Sequence, residues 1–135
     1  MNPTTLFSLA HKIALVTGAS SGLGAHFAEV LAAAGATVVL AARRTDKLAS
    51  VVSRIEAAGG CAHALVMDVT SAESVQQAFT QLDEMFETLD IVVNNAGIAS
   101  APRRFVDAEE AQWAAVLDVN LTGAWRVAQA SAKRM

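Results

Sequence analysis

The 135-residue sequence contains no tyrosine, a single cysteine and few aromatic residues of any kind, 5% in all. One thiol, Cys61, excludes an internal disulfide and a cysteine-rich zinc site. The three histidines, His11, His26 and His63, stand apart at spacings that suit no metal motif, so no metal site is expected. Neither sign of charge dominates: 10 Lys and Arg against 13 Asp and Glu leave a net charge of -3. Without a basic stripe to neutralise phosphates, the chain does not read as a nucleic-acid module. The longest strongly apolar run free of charge, residues 30–42, is interrupted by Gly35 and Thr37 and is too short to cross a bilayer. Residues 1–12 lack the basic and apolar segments of an export signal, and a cytoplasmic location is expected. What is abundant is alanine, 29 residues, so much of the 53% hydrophobic fraction is small helix-favouring side chains rather than large core-filling ones. Length and composition together describe one globular domain at most.

Hydrophobic patterning alternates between strand and helix. Ile13-Ala14-Leu15-Val16 is a continuous apolar run, as in a strand buried on both faces. Leu23, Phe27, Val30, Leu31 and Ala34 then recur at helical spacing, with Gly35 where a helix end is wanted. Val38-Val39-Leu40 reads as a second strand, Leu48, Val51, Val52 and Ile55 as a helical stripe closed by Gly59-Gly60, and Ala64-Leu65-Val66-Met67 as a third strand. Ser71 to Ser74 looks like the start of a helix carrying Val75, Phe79, Leu82 and Phe86. Ile91-Val92-Val93 is a fourth strand. After a loop, Trp113, Val116, Leu117, Asn120, Leu121 and Ala124 share one face of a long last helix. Such alternation predicts an α/β fold, a doubly wound parallel sheet between two helical layers in strand order 3-2-1-4, with strand four at an edge.

Thr17-Gly18-Ala19-Ser20-Ser21-Gly22-Leu23-Gly24 joins the first strand to the first helix, where backbone N–H groups and the helix dipole attract an anion such as a pyrophosphate. Gly18 suits a tight turn, Gly22 a close approach of backbone to ligand, and Gly24 close packing of helix on strand. The same stretch also fits a G-x-S-x-G nucleophile elbow centred on Ser20. That alternative needs a downstream acid and histidine; His26 lies on the helix the elbow would open and His63 precedes a strand, so neither is placed as a base. Strand two ends in Ala41-Ala42-Arg43-Arg44, without the acidic residue that accepts both ribose hydroxyls of NAD. Arg43 and Arg44 suit a 2'-phosphate instead, through charge-assisted bonds of about 1.5 to 3 kcal/mol each, which favours NADP(H) over NAD(H).

These motifs, followed by Asp68-Val69, Asn94-Asn95-Ala96-Gly97 and Val119-Asn120-Leu121-Thr122-Gly123 in order, resemble the short-chain dehydrogenase/reductase family. The resemblance implies a Rossmann fold and hydride transfer between a nicotinamide cofactor and an alcohol or carbonyl substrate. It implies cofactor contacts at Gly18, Ser20, Ser21, Gly22, Leu23, Gly24, Arg43 and Arg44. Asp68 would bond the adenine amino group and Val69 would touch the adenine through its backbone, while Asn95, Ala96 and Gly97 would line the adenine ribose. Asn120 matches the asparagine of the family's catalytic Asn-Ser-Tyr-Lys tetrad, which helps hold a relay water beside a helix kink. On the apolar stripe, an unpartnered Asn120 would be penalised, so a partner is expected.

The family's serine and Tyr-x-x-x-Lys lie on elements beyond the last helix and have no match here. Residues 1–135 therefore read as an incomplete NAD(P)-binding Rossmann domain, truncated after the fourth strand and its following helix and inactive alone. The full-length form would be a homo-oligomer, with the last helix at its interface. A nucleotide-binding protein without catalysis is the alternative.

Overall fold

The computed structural model describes residues 3–135. One turn of helix, α1 (Pro3–Leu6), precedes β1 (Ile13–Thr17), α2 (Gly22–Ala33), β2 (Thr37–Ala42), α3 (Thr45–Ala57), β3 (Cys61–Val66), α4 (Ala72–Met85) and β4 (Ile91–Val93). A 3-10 turn (Phe105–Asp107) then leads to α5 (Glu110–Leu117), a π-helical segment (Asp118–Gly123) and α6 (Ala124–Ala132). The four strands are parallel in the order β3-β2-β1-β4, the doubly wound arrangement expected.

Because successive strand side chains point to opposite faces, the sheet divides two cores. Ala14, Val16, Val38 and Leu40 face α2 and α3, where they meet Leu48, Val51 and Ile55. Leu15, Val39, Ala41 and Leu65 face α4 and α6, packing with Val75, Phe79, Leu82 and Val127. With both faces covered, β1 carries an uninterrupted apolar run, and each large aliphatic side chain buried there contributes about 1.5 to 3 kcal/mol. Ser71 caps α4 as its sequence indicates, its Oγ accepting from the Ser74 N–H at 3.1 Å.

Three expectations need correction. In α2 the buried face is Gly24, Ala25, Ala28 and Ala32, whereas Leu23, Phe27 and Val30 of the expected stripe are exposed. At Gly24 the cause is distance: a Cβ there would lie 2.3 Å from the Gly18 carbonyl oxygen in the turn after β1, so no side chain fits at that point, and Ala25, Ala28 and Ala32 continue the same face. β3 starts at Cys61 rather than Ala64 and includes His63, which is half-buried and stands edge-to-face on Phe86. As an edge strand it buries only Ala62, in one core, and Leu65, in the other, so no continuous apolar run marks its start. The last helix is interrupted by the π-helical segment: Trp113 and Leu117 before it and Asn120 and Leu121 within it are exposed, and the buried positions are Gly123, Val127 and Ser131.

Candidate active site

The carboxyl ends of all four strands converge on a cleft lined by the β1–α2 loop, the ends of β2 and β3, residues 96–98 and Val119. Thr17 ties its floor together. The fully buried hydroxyl accepts the N–H groups of Asn95 and Ala96, both at 2.9 Å, while Asn95 Nδ2 donates to the Thr17 carbonyl at 3.1 Å. These bonds lock the loop after β4 onto the end of β1. Gly18 stands at φ +64, and a Cβ there would meet Ala96 Cα and Asn95 Nδ2 at 3.0 Å, so the turn demands glycine on both conformational and steric grounds. Beyond it, α2 begins without a side-chain cap and without an acidic residue in its first turn, which leaves its N–H groups and positive dipole end for an anion.

On the adjacent wall, Arg44 Nη2 donates to Ser20 Oγ at 3.1 Å and Ser21 Oγ at 3.2 Å. One exposed guanidinium is thereby tethered to the glycine-rich loop from the end of β2. The Ser20 hydroxyl thus pairs with a guanidinium, which offers donors and no acceptor and cannot act as its base, so the elbow geometry finds no support there. Across the cleft, Asp68 Oδ1 accepts both the Thr70 N–H at 3.0 Å and the Thr70 hydroxyl at 2.7 Å. These hydrogen bonds, reinforced by the charges of Arg43 and Arg126, hold its carboxyl below the usual carboxylate range against the opposing effect of burial. Because both Thr70 bonds fall on Oδ1, Oδ2 is left to a donor presented in the cleft. The Asp68 N–H is satisfied by Ser74 Oγ at 2.9 Å.

The third wall comes from the loop after β4 and the π-helical segment. Asn120 Oδ1 accepts the Ile98 N–H and Asn120 Nδ2 donates to the Ile98 carbonyl, each at 2.8 Å. The expected partner of Asn120 is therefore the Ile98 backbone, but the residue is exposed rather than buried on an apolar face. Gly97 packs beside it, with room for a Cβ only 3.3 Å from Asn120 Oδ1. Asn94 Nδ2 donates to the Ala124 carbonyl at 2.8 Å and fixes the start of α6.

Of the residues singled out in the sequence, Gly18, Ser20, Ser21, Arg43, Arg44, Asp68, Val69, Ala96 and Gly97 line the cleft together. Gly22, Leu23, Gly24, Asn95 and Asn120 do not: Gly24 and Asn95 are packed beneath it, Leu23 points to solvent, and Asn120 stands behind Ile98, which it holds by both backbone groups. Met67, Thr70, Ile98 and Val119 line it unforeseen. So does Thr17, which the glycine motif includes but whose hydroxyl role shows only once β1 and β4 are paired. Among the described residues no group of three or more His, Cys, Asp or Glu side chains is placed to hold a metal ion, and no helix is long and apolar enough to cross a membrane.

The family model described as short chain dehydrogenase matches residues 12–135. A 3beta-hydroxysteroid dehydrogenase from Mediterraneibacter gnavus is 38% identical over 124 residues, which are 92% of this chain and 45% of that protein. A 3-oxoacyl-(acyl-carrier-protein) reductase from Aquifex aeolicus is 38% identical over 125 residues, covering 92% and 50% respectively. Among solved structures, a short-chain type dehydrogenase/reductase from Mycobacterium marinum superposes with a TM-score of 0.90 at 39% identity, over 96% of this chain and 50% of that one. A gluconate 5-dehydrogenase from Burkholderia cenocepacia, in complex with NADP and tartrate, gives 0.89 at 35% identity, over 98% and 51%. The chain spans about half the length of the curated relatives it matches.

Proposed function

Since the chain belongs to the short-chain dehydrogenase family, we propose that its cleft binds NADP(H) in preference to NAD(H) and that it serves hydride transfer to or from a small alcohol or carbonyl compound. The observation that carries this reading is Arg44, fastened to Ser20 and Ser21 where strand two meets the glycine-rich loop. A guanidinium in that position leaves further N–H groups for a ribose 2'-phosphate, and no carboxylate stands at the end of β2 to repel it. The residues fit a dinucleotide elsewhere too. An uncapped α2 N-terminus suits the pyrophosphate, Gly22 leaves open space beside it, and Asp68 presents an ionised oxygen to an adenine amino group. When bound, the nicotinamide ring supplies the hydride donor or acceptor.

The remaining residues organise this binding. Thr17 and Asn95 keep the β4 loop against the glycine turn, and Asn120 holds Ile98 by both backbone groups, so we place Asn120 as a positioning residue for that wall. Proton transfer to a substrate oxygen requires a general acid, and the family's tyrosine has no counterpart in a chain with no tyrosine. That absence favours a second reading of the same site, nucleotide binding without turnover by these 135 residues alone.

Calorimetric titration of NADPH and NADH tests the proposal. NADPH is expected to bind more tightly, and Arg44→Ala to weaken NADPH about tenfold while leaving NADH nearly unchanged. Equal affinities, indifferent to Arg43→Ala and Arg44→Ala, would remove the phosphate-reading role. A panel of carbonyl and alcohol substrates should show no turnover by the isolated chain; activity that disappears in Asn120→Ala would contradict the second reading.

A further inference from the structure

Resting on that nucleotide-binding reading, we propose that Arg126, on the outer helix α6, is a positioning residue for adenine recognition, acting through the peptide that joins Val69 to Thr70. Arg126 Nη1 donates to the Val69 carbonyl at 2.9 Å, and the same nitrogen lies 3.4 Å from Asp118 Oδ1. Its side chain is largely covered, 21% exposed, between exposed Trp125 and fully buried Val127. One turn earlier, Gly123 is buried against Val69, where a Cβ would come within 2.7 Å of Val69 Cγ2. Packing and a charge-assisted hydrogen bond from one helix thus converge on a single residue 57 positions away in sequence.

What they fix is the orientation of a rigid unit. A peptide group is planar, so the Val69 carbonyl and the Thr70 N–H move together. Arg126 holds the oxygen end of that plane, and the N–H end donates to Asp68 Oδ1 at 3.0 Å. Turning the plane would withdraw the Thr70 N–H from Asp68 and leave its carboxylate held by the Thr70 hydroxyl alone, on one side chain instead of a fixed backbone group. With the plane held, Oδ1 stays occupied and Oδ2 is the oxygen of this cleft-lining carboxylate left to read an amino group. The guanidinium charge also favours the ionised carboxylate. Arg126 touches neither end of a bound nucleotide in this scheme; it sets the angle of the group that does.

The test compares NADPH with its hypoxanthine analogue, in which a carbonyl oxygen replaces the adenine amino group, by titration of the 135-residue chain and of Arg126→Met and Arg126→Lys. The wild-type chain should favour the adenine form about tenfold. Arg126→Met should bring the ratio close to one, mainly by weakening the adenine form, and should speed hydrogen exchange at the Thr70 amide without ligand. Arg126→Lys, which keeps a donor and a charge, should retain part of the ratio, and it decides the matter if the methionine variant does not fold. An unchanged ratio and unchanged Thr70 exchange, or an equal loss for both ligands, would overturn the role of Arg126. Wild-type chain that binds neither ligand would instead defeat the nucleotide-binding reading, and this inference with it.

Discussion

The segment from β1 to α4 and the segment from β4 to the end are held by different forces. In the first, Leu15, Leu40, Leu48, Leu65, Phe79 and Leu82 are fully buried between sheet and helices. In the second, Phe105, Trp113, Leu121 and Trp125 are each more than half exposed, and Val127 is the one large apolar side chain fully buried among the described residues after Val93. The second segment is fastened by side chains gripping backbone or opposite charge: Asn94 to Ala124, Asn120 to Ile98, Arg126 to Val69 and Arg134 to Asp83. Apolar burial is non-directional and builds the scaffold, whereas these polar clamps are directional and set the angles of the walls of the cleft. Stability should therefore reside mainly in the first segment, while the clamps of the second set the angle of the wall it contributes to the cleft, residues 96–98 and Val119.

Substitutions that remove one kind of force at a time can break this contrast. Phe79→Ala should have the largest effect, about 3 to 5 kcal/mol, because it opens a cavity between α4 and the sheet and also removes the ring beneath Arg134, whose guanidinium lies 4.8 Å from the centroid. Denaturant unfolding followed by circular dichroism measures it, and a loss under 1 kcal/mol would deny α4 its scaffold role. Arg134→Ala should cost less, about 1 to 2 kcal/mol. It releases a partly exposed two-bond pairing with Asp83 and a bond to the Ala130 carbonyl, and solvent screens the first of these.

The pairing also carries a pH signature. Hydrogen bonding to Arg134 holds the Asp83 carboxyl below 3.8, so its contribution is present above the unfolded-state value and is lost as pH falls through the lower native one. Thermal melts from about pH 5 downward should thus decline less steeply in Arg134→Ala than in the wild type; parallel declines would show the pair to be idle. Trp113→Ser should have the smallest effect, within about 0.5 kcal/mol, since its ring is 61% exposed. A larger loss would mean that α5 is part of the scaffold after all.

The same contrast explains what could be read from sequence. The strand order, the glycine turn, the cap at Ser71 and the cleft at the strand ends were legible because each leaves a local mark: an apolar run, a glycine spacing or an N-cap serine. The buried face of α2 was not, because residue size misleads where a helix crosses a strand too closely for anything larger than alanine. The π-helical segment left no mark in the hydrophobic pattern, although the family resemblance implied a helix kink beside Asn120; a stripe drawn at constant period through it misses Val127 and Ser131. Arg126 left no mark because its partner is a backbone carbonyl, which every residue possesses. Thr17 stood inside a recognised motif, yet its hydroxyl acts on N–H groups that only the pairing of β1 with β4 brings near.

The central claim is that the cleft reads an adenosine 2'-phosphate through Arg44 beside the glycine-rich loop. A crystal structure of the chain with NADP tests it most directly. The account predicts the 2'-phosphate within hydrogen-bonding distance of the Arg44 guanidinium, next to Ser20 and Ser21, with the adenine amino group on Asp68 Oδ2. A dinucleotide whose 2'-phosphate points to solvent away from Arg44, or one bound outside this cleft, would contradict it.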